Sequence, residues 1–196
     1  MLNIGVLVSG GGTNLQALID AQTDGILKSG RIVTVVADRE GAYALERAKS
    51  AGIAGCTILK KDYASKSDFD KALAEHMKSK NVDIVVLAGF LSILGKDFIS
   101  AYRDRIVNIH PSLIPSFCGD GFYGLKVHQA ALDYGVKVTG ATVHLVNEIT
   151  DGGKILMQKA VYINDDDTAE TLQKRVMQEA EWQILPQAVE MLCSKL

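Results

Sequence analysis

The stretch "RIVNIHPSLIPSF" (residues 105–117) sets an amide, Asn108, and an imidazole, His110, two residues apart where an apolar run ends. On a strand, residues i and i+2 project from the same face. A neutral amide donor beside a group that carries a proton near pH 7 suits a reaction in which a carbonyl oxygen gains negative charge. Pro111 and Pro115 then fix the exit path with little freedom, which holds the imidazole in place. A histidine near a core also reads as a satisfied structural residue, so a third group is needed to orient the ring. Asp151, in "NEITDGGKI", is the candidate. A carboxylate beside an imidazole raises the imidazole's pKa and fixes its tautomer. Asp followed by glycines is equally ordinary turn chemistry, and the linear sequence does not bring Asp151 to His110. His76, His128 and His144 lack ligand spacing, so no metal is expected. His144 follows Thr142 on one face of an alternating strand, where lining the site and a structural role both stand.

The second chemical feature is "VLVSGGGTNLQALID" (residues 6–20), a strand, a glycine turn and a helix start. Glycines let a tight turn present successive backbone N–H groups at the positive end of a helix, where a phosphate is stabilised. A dinucleotide fingerprint would require a third glycine where Leu15 stands, although Asp38 ends the second strand as a ribose-binding acid would. The Walker pattern also fails. Thr13 and Asn14 instead offer a hydroxyl and an amide to a monophosphate, which favours anion binding over a plain strand-to-helix turn.

These groups must be positioned by regular elements. Apolar β-rich runs over 3–8, 32–38, 56–59, 83–89 and 106–109 alternate with helix-like stretches over 14–21, 42–52, 68–79 and 96–103. Strands without polar alternation are covered on both faces, so the chain predicts an α/β fold with a doubly wound, mainly parallel sheet and ligands outside the carboxyl ends of its strands. A short helix near 125–135 precedes two strand-like runs, 137–146 and 154–163, expected to pair as an antiparallel hairpin. The chain closes with a long amphipathic helix, its start marked by acidic and threonine capping residues, with Glu170 three after Asp167, and its course kinked or split at Pro186.

Composition bounds the rest. With 196 residues, 47% hydrophobic and 22% charged, one globular domain with an ordinary core is expected. The net charge of -2, without a basic run, argues against nucleic acid and anionic membrane, leaving small-molecule ligands. Cys56, Cys118 and Cys193 are odd in number and scattered, which suits a reducing cytosol. The first apolar run stops at Ser9, too short for a signal core or a membrane span.

The segments "VLVSGGGTNLQALID", "VVLAGFLSIL", "VNIHPSLIPSF", "GATVHLV" and "DGGKILMQKAV", in this order over nearly the whole chain, resemble those of the phosphoribosylglycinamide formyltransferases of purine synthesis, within the superfamily using 10-formyltetrahydrofolate. The resemblance implies a Rossmann-like formyltransferase fold, with a phosphate-binding half over about 1–105 and a folate-binding, catalytic half over about 106–196. It implies a cytoplasmic enzyme, monomer or weak homodimer, with 10-formyltetrahydrofolate as cosubstrate. Asn108, His110 and Asp151 would stabilise a tetrahedral intermediate. Gly12, Thr13 and Asn14 would hold the phosphate of the substrate, and Gln178 and Glu181 its ribose. Leu91, Ser92, Ile93 and Leu94, with Asn108 and with Asn147, Glu148, Ile149, Thr150 and Asp151, would wall the folate pocket, and Lys66 falls where the family often has an arginine near the folate tail. The chain departs in "SFCGDGFYGLKVH" (residues 116–128), where many members have a shorter Pro-Gly turn. Formyltetrahydrofolate hydrolases share the three polar residues, but usually carry an extra N-terminal regulatory domain. Methionyl-tRNA formyltransferases need a C-terminal RNA-binding domain, and amino-sugar formyltransferases should lack this glycine loop. A silent phosphometabolite-binding module is the alternative outside enzymes.

Overall fold

A computed structural model describes residues 1–196. The apolar runs form β1 (Leu2–Val8), β2 (Gly30–Ala37), β3 (Gly55–Thr57), β4 (Ile84–Leu87) and β5 (Ile106–His110). Between them lie α1 (Thr13–Thr23), α2 (Tyr43–Ser50), α3 (Lys66–Ser79) and α4 (Lys96–Ala101). There follow α5 (Leu125–Tyr134), β6 (Val138–Leu145), β7 (Ile155–Tyr162), α6 (Ala169–Val176), a π-helical turn (Met177–Glu181) and α7 (Trp182–Cys193).

One seven-stranded sheet runs in the order β3-β2-β1-β4-β5-β6-β7. The first five strands are parallel, β6 is antiparallel to β5, and β7 is antiparallel to β6, which gives the expected hairpin. The chain order reverses between β1 and β4, the point at which open α/β sheets leave a crevice beyond their carboxyl ends. Strand β4 shows why no polar alternation appears in the sequence. Ile84 and Val86 pack into the core shared with α1, α2, α6 and α7, while Val85 and Leu87 pack against α3 and α4. Both faces are buried. In β5 the row Ile106, Asn108, His110 continues the α3 and α4 side, whereas Val107 and Ile109 face the larger core.

Three local expectations are corrected. Strand β5 extends one residue further than expected, so His110 is itself a strand residue paired with Thr142, and Asn108 is paired with His144. Of the acidic and threonine residues at the start of helix α6, the cap is the threonine: the Thr168 hydroxyl accepts from the Thr171 amide and the Thr171 hydroxyl accepts from the Thr168 amide, in place of the Asp167 and Glu170 pairing. Asp167 is drawn off by Arg175, whose paired N–H groups hold its carboxyl at about 2. The terminal helix breaks its regularity at Met177–Glu181 and passes through Pro186 as an α-helix. Proline crowds the carbonyl four residues earlier, here that of Trp182. The widened turn that inserts an extra residue into the repeat ends immediately before it. No helix is long and apolar enough to cross a membrane.

Candidate active site

The crevice beyond β1, β4 and β5 is a cleft of about 900 Å³, within the range of sites for small molecules. One wall is the segment after β4. Its Leu91 amide donates to Ser9 Oγ (2.8 Å) and its Ser92 hydroxyl to the Asp38 carboxylate (2.7 Å), which ties it across the ends of β1 and β2. Leu94 is buried beneath, while Leu91 and Ile93 stand half or more exposed into the cleft. The other wall is the β6–β7 connection, where Asn147 Oδ1 accepts from the Ile149 amide (3.0 Å) and Ile149 is left bare. Thr150 donates to Asp120 (3.0 Å), and Glu148 pairs with Arg103 at the rim (2.8 Å). Exposed aliphatic side chains from two segments of one cleft suit a flat, largely apolar ligand.

At the head of the cleft, tertiary structure assembles the polar cluster. Asp151 takes a positive φ of 54°, which turns its side chain inward to 9% exposure. Its Oδ2 accepts from the Gly119 amide (2.9 Å) and lies 3.5 Å from His110 Nδ1, while Oδ1 lies 3.5 Å from His144 Nε2. His110 Nε2 lies 2.9 Å from the Phe117 carbonyl oxygen and donates to it. Asn108 Nδ2 is 3.1 Å from His144 Nε2. The path after His110 is secured by Thr142, whose hydroxyl donates to the Ser112 carbonyl (2.7 Å) and accepts from the Ile114 amide (3.1 Å).

Burial sets the electrostatics. It pushes the His110 imidazole below its ordinary value; the Phe117 carbonyl and the Asp151 charge oppose that shift without overcoming it. The rise expected from a neighbouring carboxylate is therefore present as a contribution and reversed in the net. Burial alone would raise Asp151, but His144, the Gly119 amide and His110 together bring it below the ordinary carboxylate range. His128, at 1% exposure with both ring nitrogens unpartnered, is pushed down to about 4 by burial.

The glycine loop forms the other end. Gly12 is left-handed (φ 71°), and a Cβ there would stand 2.6 Å from that of Ala44. Helix α1 starts at Thr13 with its first bond from the Gln16 amide to the Gly12 carbonyl (2.9 Å), so the amides before Gln16 have no partner of the helical ladder. Asn14 Nδ2 donates to Glu181 Oε2 (2.7 Å), and Asn14 Oδ1 has no protein partner although buried. Burial pushes the Glu181 carboxyl up, opposed by that amide.

Asn14, Glu181, Asn108, His110, Asp151 and both wall segments thus meet in one cleft. Four expected residues do not. Gly12 lies in the turn before Asn14 and is not part of the cleft lining. Thr13 faces a smaller groove of about 440 Å³ between α1 and α7, its hydroxyl on Met177 Sδ (3.8 Å). Gln178 is exposed and off the lining, because the helical repeat turns Gln173, Met177 and Glu181 to the cleft instead. Lys66 is exposed at the start of α3, where the buried Asp70 carboxylate feels its charge, and lines no part of the cleft. Sequence reading missed Arg39, the one Lys or Arg side chain lining the cleft, held by Asp38 (3.3 Å). Its only signal was its place immediately after the second strand.

Comparison with known proteins decides between the readings this geometry allows. Residues 2–189 match the formyl transferase family. The chain is 40% identical over 186 residues to the phosphoribosylglycinamide formyltransferase of Haemophilus influenzae, covering 95% of this chain and 84% of that protein. It belongs to the phosphoribosylglycinamide formyltransferase family. The structure of glycinamide ribonucleotide transformylase 1 from Symbiobacterium toebii superimposes with a TM-score of 0.94 at 42% identity, covering 100% of this chain and 89% of that one. The trifunctional purine biosynthetic protein adenosine-3 of Drosophila melanogaster is 42% identical over 192 residues, 96% of this chain but 14% of its own length. The shared fold therefore accounts for the sheet, the hairpin and the terminal helix.

Proposed function

We propose that the chain transfers a formyl group from 10-formyltetrahydrofolate to the amine of 5'-phosphoribosylglycinamide. The observation that supports this most is the convergence on Asp151, whose carboxylate lies within 3.5 Å of both His110 and His144 at the head of a cleft with bare aliphatic walls. The walls at Leu91–Leu94 and Asn147–Asp151 take the ring system of the folate. The glycine loop, with Gly12 shaping the turn and Asn14 and Glu181 beneath it, takes the phosphoribosyl end. The unpartnered Asn14 Oδ1 is suited to accept from a hydroxyl or amine of the bound nucleotide.

The reaction needs no covalent enzyme intermediate. Attack of the neutral amine forms a carbon–nitrogen bond, collapse breaks the bond to folate N10, and one proton moves from the amine nitrogen to N10. Between these events the formyl oxygen is anionic. Asn108 donates to it, and protonated His110 donates a second hydrogen bond and passes the proton, with Asp151 compensating the imidazolium. The Phe117 carbonyl now accepts from His110 Nε2, the nitrogen required for this step, so the formyl oxygen displaces it as the segment after Pro115 draws back. Holding both reactants on opposite sides of the cluster supplies much of the acceleration.

The test is the ultraviolet absorbance change on mixing 10-formylfolate, the amine and protein. Amine-dependent release of deformylated folate is expected. Amine-independent release would make the chain a hydrolase, and no release a silent binding module. His110→Ala should lower turnover on the order of a hundredfold to ten-thousandfold in the same assay, and an unchanged rate would end the assignment.

A further inference from the structure

Asn108 serves the reaction only if its amide presents N–H, not oxygen, to the cleft, and a side-chain amide has two orientations related by a half-turn. The strand register supplies what chooses between them. Asn108 and His144 are opposite one another in β5 and β6, and His144 is 2% exposed. His144 Nδ1 lies 2.9 Å from the Leu145 carbonyl oxygen. A carbonyl can only accept, so Nδ1 carries a proton, and in the neutral ring Nε2 is a bare acceptor. Asn108 Nδ2 stands 3.1 Å from that Nε2. One N–H of the amide is thereby committed to the ring, and the remaining N–H faces the cleft that Asn108 lines.

We propose that His144 is a positioning residue: locked as its Nδ1–H tautomer by the Leu145 carbonyl, it holds the Asn108 amide in the orientation that aims N–H at the reacting oxygen. In the opposite orientation Asn108 would set an oxygen against a developing oxyanion, turning a stabilising contact into a repulsive one. Asp151 Oδ1 competes for the same nitrogen at 3.5 Å. A doubly protonated His144 would donate to Asp151 and turn the Asn108 oxygen toward the ring. The Asn108 contact is the shorter, at 3.1 Å against 3.5 Å. The β6 row therefore steadies both β5 residues: Thr142 through the Ser112 carbonyl after His110, His144 through the Asn108 amide itself.

The proposal rests on the reading that Asn108 donates to the formyl oxygen, and a double-mutant cycle tests it. His144→Leu should lower kcat about 10- to 100-fold, less than the roughly hundred- to thousandfold of a deleted oxyanion donor because Asn108 is misaimed and not removed, with the KM of both reactants within about twofold. His144→Gln, which returns an acceptor near the place of Nε2, should recover most of the loss. In an Asn108→Ala background His144→Leu should cost little more. Additive losses, or a Gln variant as slow as Leu, would overturn the proposal. Nitrogen NMR of the imidazoles in the parent protein needs no variant to fold: a bare Nε2 at His144 is expected, and a protonated one would refute the tautomer. Absence of formyl transfer in the parent would instead refute the functional reading, leaving the tautomer measurement to stand by itself.

Discussion

Burial is the first cause of the shifts at His110 and His128, and at Asp151 partners from other strands and loops outweigh it. Burial lowers His110 and so works against an imidazolium there, and in the proposed mechanism the negative formyl oxygen is what compensates for it. Arg39 is the clearest case of a residue whose value lies in its surroundings. Its guanidinium is 53% exposed, leashed by a buried Asp38 that Ser92 also binds, and so it is carried beside the wall segment assigned to the folate. The glycine loop, the end proposed for the phosphoribosyl group, has a different cation nearby, Arg47, whose Nε donates to the Gly11 carbonyl (2.7 Å). Arg39→Ala should therefore raise the KM of a glutamate-bearing formyl donor about tenfold while leaving kcat and the KM of the amine within about twofold, in steady-state kinetics. A change confined to the KM of the amine would assign Arg39 to the phosphate.

Among the elements, the turn between β1 and α1 divides its glycines by task. Gly10 and Gly11 have open space where a Cβ would stand, whereas at Gly12 a Cβ would lie 2.6 Å from the Ala44 Cβ and 2.8 Å from its Cα, with φ at 71°. Gly12→Ala should cost about 1–3 kcal/mol of stability in urea unfolding, because helix α2 would have to retreat and the left-handed conformation would be strained. Gly10→Ala should unfold within about 0.5 kcal/mol of the parent. Three consecutive glycines were legible as a turn, but only the approach of α2 distinguishes the third from the first two. The terminal helix was similarly legible as amphipathic. Its π turn was not, and that turn belongs to the stretch in which Glu181 lines the cleft and Gln178 does not.

Across the whole molecule the buried ionisable groups make stability depend on pH. His76, His110 and His128 are all held below the ordinary 6.5, each first by burial. Below 6.5 the unfolded chain binds more protons on these rings than the folded one, so stability is lost as pH falls, down to about 4 for His128. Asp151 and Asp167, both lowered, lose their contributions further into acid. Asp70 and Glu181, both raised by burial, act in the opposite sense. The histidines should dominate between pH 7 and 5, so thermal unfolding should show a falling Tm over that window, and His128→Met should flatten the slope. An unchanged slope would mean that His128 is not the buried neutral ring described above.

The linear sequence determined what local rules govern: alternating strands and helices, a same-face pair at Asn108 and His110, a glycine turn at a helix start, and a hairpin around "NEITDGG". Periodicity and backbone stereochemistry act over a few residues, so they are written in neighbouring letters. Tertiary structure alone decided that Asp151 reaches His110, that Asn108 faces His144, that burial outweighs the carboxylate in setting the imidazole, and that Arg39 rather than Lys66 lines the cleft. Strand register and desolvation arise only when distant segments pack together, and no short stretch of the chain contains them.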